Sequence, residues 1–211
     1  MKATVIDYGL ANLLSVRHAF AHFGAETLLT SDSADVLAAE KLVLPGVGAF
    51  KDGMDGLARL GLIEPIRRKA AAGTPLLGIC LGMQMLFDES EEFGLHKGLG
   101  LIPGRVAKIP DTDVDGQPQT VPHISWDPLY PGGGRTDFSG TALATLKPGE
   151  ECYFIHSYEA KPVRDEDRLA DTVYGGRETC AAASHGSVLG CQFHPEKSGA
   201  VGLKIIEEFL K

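Results

Sequence analysis

The sequence predicts an α/β protein with a mixed, mostly parallel central sheet flanked by helices and an added region of antiparallel strands. Three observations carry that prediction. Short apolar runs alternate with amphipathic helical stretches as far as Phe87, the pattern of βαβ units and a parallel sheet. From Gly98 to Pro162 the chain turns rich in Gly and Pro and holds short strand-like runs, which suits antiparallel strands and long loops. It closes on further strands and a helix from about Gly199, with Val201, Leu203, Ile205, Ile206, Phe209 and Leu210 as its apolar positions.

Taken in order, residues 3–6 read as a strand, followed by Asp7-Tyr8-Gly9 as a turn. Asn12 starts a helix with the apolar face Leu13, Val16, Phe20 and Phe23, and Gly24 stops it. Residues 26–30 form a second strand, Ser31-Asp32-Ser33 caps a short helix, and residues 41–44 form a third strand. Pro45-Gly46-Val47-Gly48 is a breaker-rich loop at its end, and helical stretches follow, 63–72 the clearer. Residues 75–79, apolar on both faces, are a buried strand, after which Met83, Leu86 and Phe87 recur at helical spacing. Glu89, Glu91 and Glu92 form an acidic cluster, read as solvated surface. Further strands are expected at 105–109, 152–157, 169–174, 180–184 and 188–193, with loops at 111–120 and 131–134. No repeat or linker stands out, so residues 1–211 are expected to form one domain.

Composition narrows the function. A net charge of −8 without a basic block argues against nucleic-acid binding. The start of the chain lacks the pattern of a signal peptide. The uncharged run 70–87 contains Gly73, Thr74, Pro75, Gly78, Gly82 and Gln84, which suits strand–turn–helix rather than a membrane span. Cys80, Cys152, Cys180 and Cys191 form no CxxC pair and no cluster with histidine. A reduced, cytoplasmic protein with no metal and no cofactor is expected.

Gly78-Ile79-Cys80-Leu81-Gly82 has the spacing of a G-x-S-x-G nucleophile elbow, with cysteine at its centre. Between strand and helix, the sulfur would sit at a helix N-terminus, where free N–H groups stabilise a thiolate. Asp7-Tyr8-Gly9, the Pro45 loop and Cys80 all follow strands, so they share the carboxyl edge where sites form in such sheets. A thiol nucleophile needs a base, and the base needs an orienting group. His194-Pro195-Glu196 offers both, two residues apart, pointing the same way if the chain stays extended. His18 and His22 share a solvent-facing helix face, whereas His156 and His185 are open alternatives as the base.

Three segments resemble the class I (triad-type) glutamine amidotransferases: Pro-Gly-Val-Gly at 45–48, Gly-Ile-Cys-Leu-Gly-Met-Gln at 78–84, and Gln-Phe-His-Pro-Glu-Lys-Ser at 192–198. Others are similar to one branch of that family, the glutaminase subunits of imidazole glycerol phosphate synthases. They are Asp7-Tyr8-Gly9 with Asn12, residues 98–104, Pro122-His123 with Trp126, and residues 153–158. The resemblance runs end to end and implies the class I amidotransferase fold.

It also implies roles. Cys80 would be the nucleophile, His194 the general base and then acid, and Glu196 its orienter. Leu81 N–H and the Gly46-Val47-Gly48 loop would hold the oxyanion, while Gln84 and the His156-Ser157-Tyr158 segment would hold glutamine. The implied partner is a (β/α)8-barrel cyclase that receives ammonia and makes imidazole glycerol phosphate and aminoimidazole carboxamide ribotide in histidine biosynthesis. His123, Trp126 and Asp127 would belong to that interface. The chain departs from the family at two places: His123-Ile124-Ser125-Trp126-Asp127 stands where the family has His-Met-Gly-Trp-Asn, and Ala11 stands for a common glycine. The rival readings are the amidotransferase subunit of another synthase, such as anthranilate synthase, a thiol peptidase, and a non-catalytic interaction protein.

Overall fold

A computed structural model describes the whole chain, Met1–Lys211. Its first half follows from strands with two apolar faces. Elements run β1 (Lys2–Ile6), α1 (Leu13–Ala21), β2 (Glu26–Thr30), α2 (Ser33–Ala38), β3 (Leu42–Gly46), α3 (Phe50–Arg59), α4 (Ile63–Ala71), β4 (Leu76–Cys80) and α5 (Leu81–Met85). Side chains alternate across a strand. Val5, Val43, Leu77 and Ile79 therefore enter one apolar core, shared with Val16 and Phe20 of α1. Ile6, Leu42, Leu44 and Leu76 enter the other, shared with Phe50, Leu57 and Ile66 of α3 and α4. A sheet covered on both faces explains why these strands read as nearly continuous apolar runs.

The second half runs β5 (Phe87–Ser90), β6 (His96–Lys97), β7 (Ile102–Lys108), β8 (His123–Pro128), β9 (Tyr130–Pro131), β10 (Glu151–His156), β11 (Tyr158–Pro162), β12 (Arg168–Tyr174), β13 (Arg177–His185), β14 (Val188–Cys191) and α6 (Gly199–Leu210). The main sheet has twelve strands, in the order β2-β1-β3-β4-β14-β13-β11-β7-β5-β6, with β12 on β13 and β9 on β12. Strands β2, β1, β3, β4 and β14 are mutually parallel. The antiparallel extension begins where β13 joins β14. Strands β8 and β10 form a separate antiparallel pair.

Three local expectations are corrected. The helix after Cys80 stops at Met85 and Phe87 opens β5, because Phe87 pairs with Ile102 of β7 and is held by that ladder. Pro45 and Gly46 belong to β3 rather than to the following loop. Leu42 donates its N–H to Pro75 at 2.8 Å, on the β4 side. Pro45 therefore points its missing N–H toward β1, whose pairing with β3 ends at Val43, and no ladder bond is lost. Glu92 is no bystander of a solvated cluster, since its carboxylate accepts the Phe50 N–H at 2.6 Å and caps α3.

Candidate active site

Register alone brings the site together. Gly46 of β3 lies opposite Cys80 of β4, and Cys191 of β14 lies opposite Ile79. The chain leaving β14 as Gln192-Phe193-His194 must therefore emerge beside Cys80. Asp7 and Tyr8 leave β1 at the same edge.

Cys80 adopts φ 55°, ψ −110°, a strained conformation for a residue with a Cβ. Two glycines make room for it. A Cβ on Gly82 would stand 1.7 Å from the Leu44 carbonyl oxygen, and one on Gly78 would stand 2.9 Å from the Gly82 carbonyl. The turn closes only without those atoms. Leu81 N–H opens α5 in the first turn, where no helical acceptor exists for it.

His194 and Glu196 are both buried, and Glu196 Oε1 lies 2.8 Å from His194 Nδ1. The carboxylate only accepts, so Nδ1 carries the hydrogen and Nε2 faces the pocket. Burial disfavours the imidazolium, but the nearby Cys80 sulfur and the Glu196 carboxylate outweigh it and raise the His194 pKa to about 9. His194 Nε2 is buried and has no hydrogen-bond partner in the protein. His194 and Glu196 meet through one turn of 3-10 helix at Pro195–Lys197, not along an extended strand. Pro195 presets that turn. Ser198, which spacing did not single out, locks it: its hydroxyl donates to His194 O at 2.7 Å and accepts from Tyr153 N–H at 3.0 Å.

The alternative bases fall away. His156 is pushed down to a pKa of about 3, first by burial, and its Nε2 lies 3.0 Å from His123 Nδ1. His185 ends β13 opposite Val188, at the far edge of the sheet, and pairs with Asp167 at 3.1 Å.

A cavity of about 280 Å³ opens over Cys80 and His194. Val47, Gly48, Leu81 and Gln84 line one side, and Ile155, His156, Ser157 and Tyr158 the other. Glu92, expected on the solvated surface, and Pro122, expected only as part of the Trp126 segment, complete it. A larger cleft, about 710 Å³, lies around Arg67, Lys97 and Arg105 and contains no cysteine, histidine or serine.

Two expected donors are already engaged. Val47 N–H donates to the Leu10 carbonyl at 2.8 Å, so in this conformation it is not turned toward an oxyanion. Gln84 spends its amide hydrogens on Tyr158 O (3.0 Å) and Gln192 Oε1 (3.1 Å), bracing the cavity wall rather than reaching for a ligand. Tyr8, beneath the loop, donates its hydroxyl to Pro45 O at 2.8 Å, and burial followed by the nearby Cys80 charge push its pKa up.

Beside the cavity, β8 and β10 expose an apolar face. Ile124 pairs with Ile155 and Trp126 with Tyr153 across the ladder. Ile124 and Trp126 are half exposed. Asp127 is partly exposed, but His123, expected at an interface, is fully buried and cannot touch a partner. Period-2 alternation sends it inward.

Comparison with known proteins fits this geometry. The class-I glutamine amidotransferase family model matches residues 4–211. Over 208 residues the chain is 49% identical to imidazole glycerol phosphate synthase subunit HisH 1 of Legionella pneumophila (strain Lens), covering 99% of this chain and 98% of that one. The HisH subunit of Geobacter sulfurreducens is 45% identical over 99% of this chain and 97% of its own length. The chain belongs to the class-I glutamine amidotransferases, in their HisH branch.

Solved structures agree on the amidotransferase fold. A crystal structure of a glutamine amidotransferase superposes with a TM-score of 0.73 at 18% identity, covering 98% of this chain and 96% of that one. PurLQS from Thermotoga maritima gives 0.71 at 21% identity, over 99% and 97%. In this amidotransferase, then, the elbow cysteine and His194, backed by Glu196, line a cavity at the carboxyl edge of the parallel strands.

Proposed function

We propose that the chain hydrolyses glutamine at Cys80 and passes the ammonia to a (β/α)8-barrel cyclase, as the glutaminase subunit of an imidazole glycerol phosphate synthase. The observation that carries the chemistry is a positive-φ cysteine sharing one cavity with His194, which the buried Glu196 holds from behind. Near-full-length identity of 49% to a HisH subunit supports the acceptor.

The Cys80 sulfur attacks the side-chain amide carbon of glutamine, and the oxygen takes the charge. Leu81 N–H, free at the start of α5, would receive it. When the C–N bond breaks, His194 gives its proton to the departing nitrogen and ammonia leaves. Water then attacks the thioester while His194 takes a proton from it, the C–S bond breaks, and glutamate departs. Glu196 keeps Nδ1 protonated throughout, so Nε2 is always the exchanging nitrogen. Val47 N–H becomes a second oxyanion donor once its bond to Leu10 O is released. That bond supports a resting state with low turnover and a trigger at the loop.

Free ammonia is protonated in water, so the partner must sit over the cavity. The exposed Ile124–Trp126 face adjoins Ile155, whose carbonyl lies 3.9 Å from the Cys80 sulfur, and suits that docking. Residues 1–211 act as one catalytic domain, since one sheet holds both β1 and β14. No helix is long and apolar enough to cross a membrane, and a cytoplasmic setting fits four unpaired, buried cysteines.

Glutamate release by the purified chain, alone and with the barrel cyclase and its acceptor nucleotide, tests this reading. Strong activation by partner plus acceptor is expected. Hydrolysis indifferent to that partner would assign the chain to another synthase. In the complex, Cys80→Ala should abolish glutamine-dependent synthesis and spare ammonia-dependent synthesis. Equal loss of both would reject Cys80 as nucleophile.

A further inference from the structure

Behind the His156–Tyr158 wall of the cavity runs a line of hydrogen bonds whose directions can be worked out one after another. His156 Nδ1 lies 2.8 Å from the Tyr158 carbonyl oxygen. A carbonyl only accepts, so Nδ1 carries the hydrogen. His156 is buried and neutral, which leaves Nε2 as a bare acceptor. His123 Nδ1, 3.0 Å away, must therefore be the donor of that pair. The other nitrogen of His123, Nε2, lies 2.5 Å from Asp127 Oδ2 and 3.0 Å from Ser125 Oγ. Ser125 has one hydrogen, and its hydroxyl donates to Asp127 Oδ2. Without a further proton, the lone pair of Nε2 would face a carboxylate. A proton on Nε2 satisfies every contact at once.

The ring cannot escape this by turning. His123 is fully buried and stacked between Phe154 (centroids 5.1 Å, planes 13° apart) and Tyr174 (4.0 Å, 20°). Asp127 is partly exposed and adjoins the half-exposed Trp126, so the line begins at the surface. It ends at Tyr158 O, which also receives Gln84 Nε2, and Gln84 is bonded in turn to Gln192, whose amide nitrogen lies 3.9 Å from the Cys80 sulfur.

We propose that Asp127 keeps His123 doubly protonated, making the pair positioning residues that lock His156 as its Nδ1–H tautomer and thereby hold the Tyr158 wall of the cavity, which Gln84 braces, in place for glutamine. This rests on the cavity being the glutamine pocket. The carboxylate is essential to the design, because a doubly protonated ring needs an acceptor at Nε2.

Two measurements test it on the full-length chain. The first is imidazole ¹⁵N NMR at neutral pH. His123 should show two protonated nitrogens, and His156 one protonated Nδ1 and one bare Nε2. A singly protonated His123, or His156 carrying its hydrogen on Nε2, would overturn the proposal. The second is glutamine affinity in a Cys80→Ala background, which needs neither turnover nor partner. Asp127→Ala should mix the His156 tautomers and weaken glutamine by about tenfold, the worth of one lost buried hydrogen bond. Asp127→Asn should restore most of that affinity, because its amide can donate to a neutral His123, while the second proton on His123 disappears from the spectrum. Unchanged affinity and an unchanged His156 spectrum in Asp127→Ala would also overturn it. The predicted spectrum in a chain that neither binds nor hydrolyses glutamine would uphold the relay and reject the glutaminase reading.

Discussion

In the proposed reaction ammonia leaves only if a proton reaches the amide nitrogen as the C–N bond breaks, so the donor has to be charged beforehand. A His194 pKa raised to about 9 fits that role despite the burial. The same shift is a stability term. A folded pKa above the ordinary 6.5 stabilises the fold fully below about 6.5, and this is lost as pH rises through about 9. Chemical denaturation across that range should show a fall of up to about 3 kcal/mol, absent in His194→Ala. His156 acts in the opposite sense: with its pKa lowered to about 3, its contribution is present above 6.5 and lost as pH falls toward 3. In turnover, Glu196→Gln should cost less kcat/KM than His194→Ala, since an orienter is more replaceable than the proton carrier; the reverse ranking would exchange their roles. At this scale the sequence was most legible where chemistry demanded a rare pattern, as in Gly78-x-Cys80-x-Gly82 and His194-x-Glu196. Gln192 and Ser198 stood only as the ends of the 192–198 segment, without a role, because a hydroxyl or amide that braces a loop has no spacing of its own.

Between elements, the segment after Cys80 shows where local periodicity misleads. Met83, Leu86 and Phe87 are spaced for a helix, yet α5 lasts five residues before Phe87 enters β5. Phe87 is fully buried and paired to β7 at Ile102, fifteen positions away, so a partner invisible to a local window decided its state. Strands β8 and β11 were missed for the same reason: each is defined by a ladder to a distant strand. The hairpin formed by β5 and β6 has a further consequence, through Glu92. The N-cap position of α3 is Ala49, which offers no side-chain acceptor, and Glu92 reaches across to take the Phe50 N–H. Because Glu92 also lines the cavity beside Val47 and Gly48, it ties the proposed oxyanion loop to the hairpin. Urea titration of Glu92→Ala should show a loss of about 1 kcal/mol, the usual worth of a cap. Hydrogen exchange at the Val47 amide should become faster in the same variant. Unaltered exchange would mean that the loop is held by Leu10 alone.

Across the whole molecule, strand order joins sites that the sequence keeps far apart. Strand β14 is last of its kind in the chain yet lies next to β4, and that crossover sets His194 beside Cys80. Alternating strands and helices made the parallel half readable, whereas the antiparallel extension depends on long-range pairing and left only soft boundaries. The proposed ammonia-receiving partner would dock on the apolar face of β8 and β10, next to the cavity mouth. Trp126 is the large aromatic there, half exposed and tilted against Tyr153 with centroids 5.9 Å apart. Half of its surface is available to be buried by a docking barrel, and buried tryptophans at the centre of an interface commonly contribute 2 kcal/mol or more. Trp126→Ala should therefore weaken cyclase binding about thirtyfold in a calorimetric titration. Its melting temperature should stay within about 4 °C of the parent, because Trp126 belongs to neither apolar core. Equal affinity for the cyclase would place the docking face elsewhere and leave this strip of Ile124, Trp126 and Ile155 without an occupant.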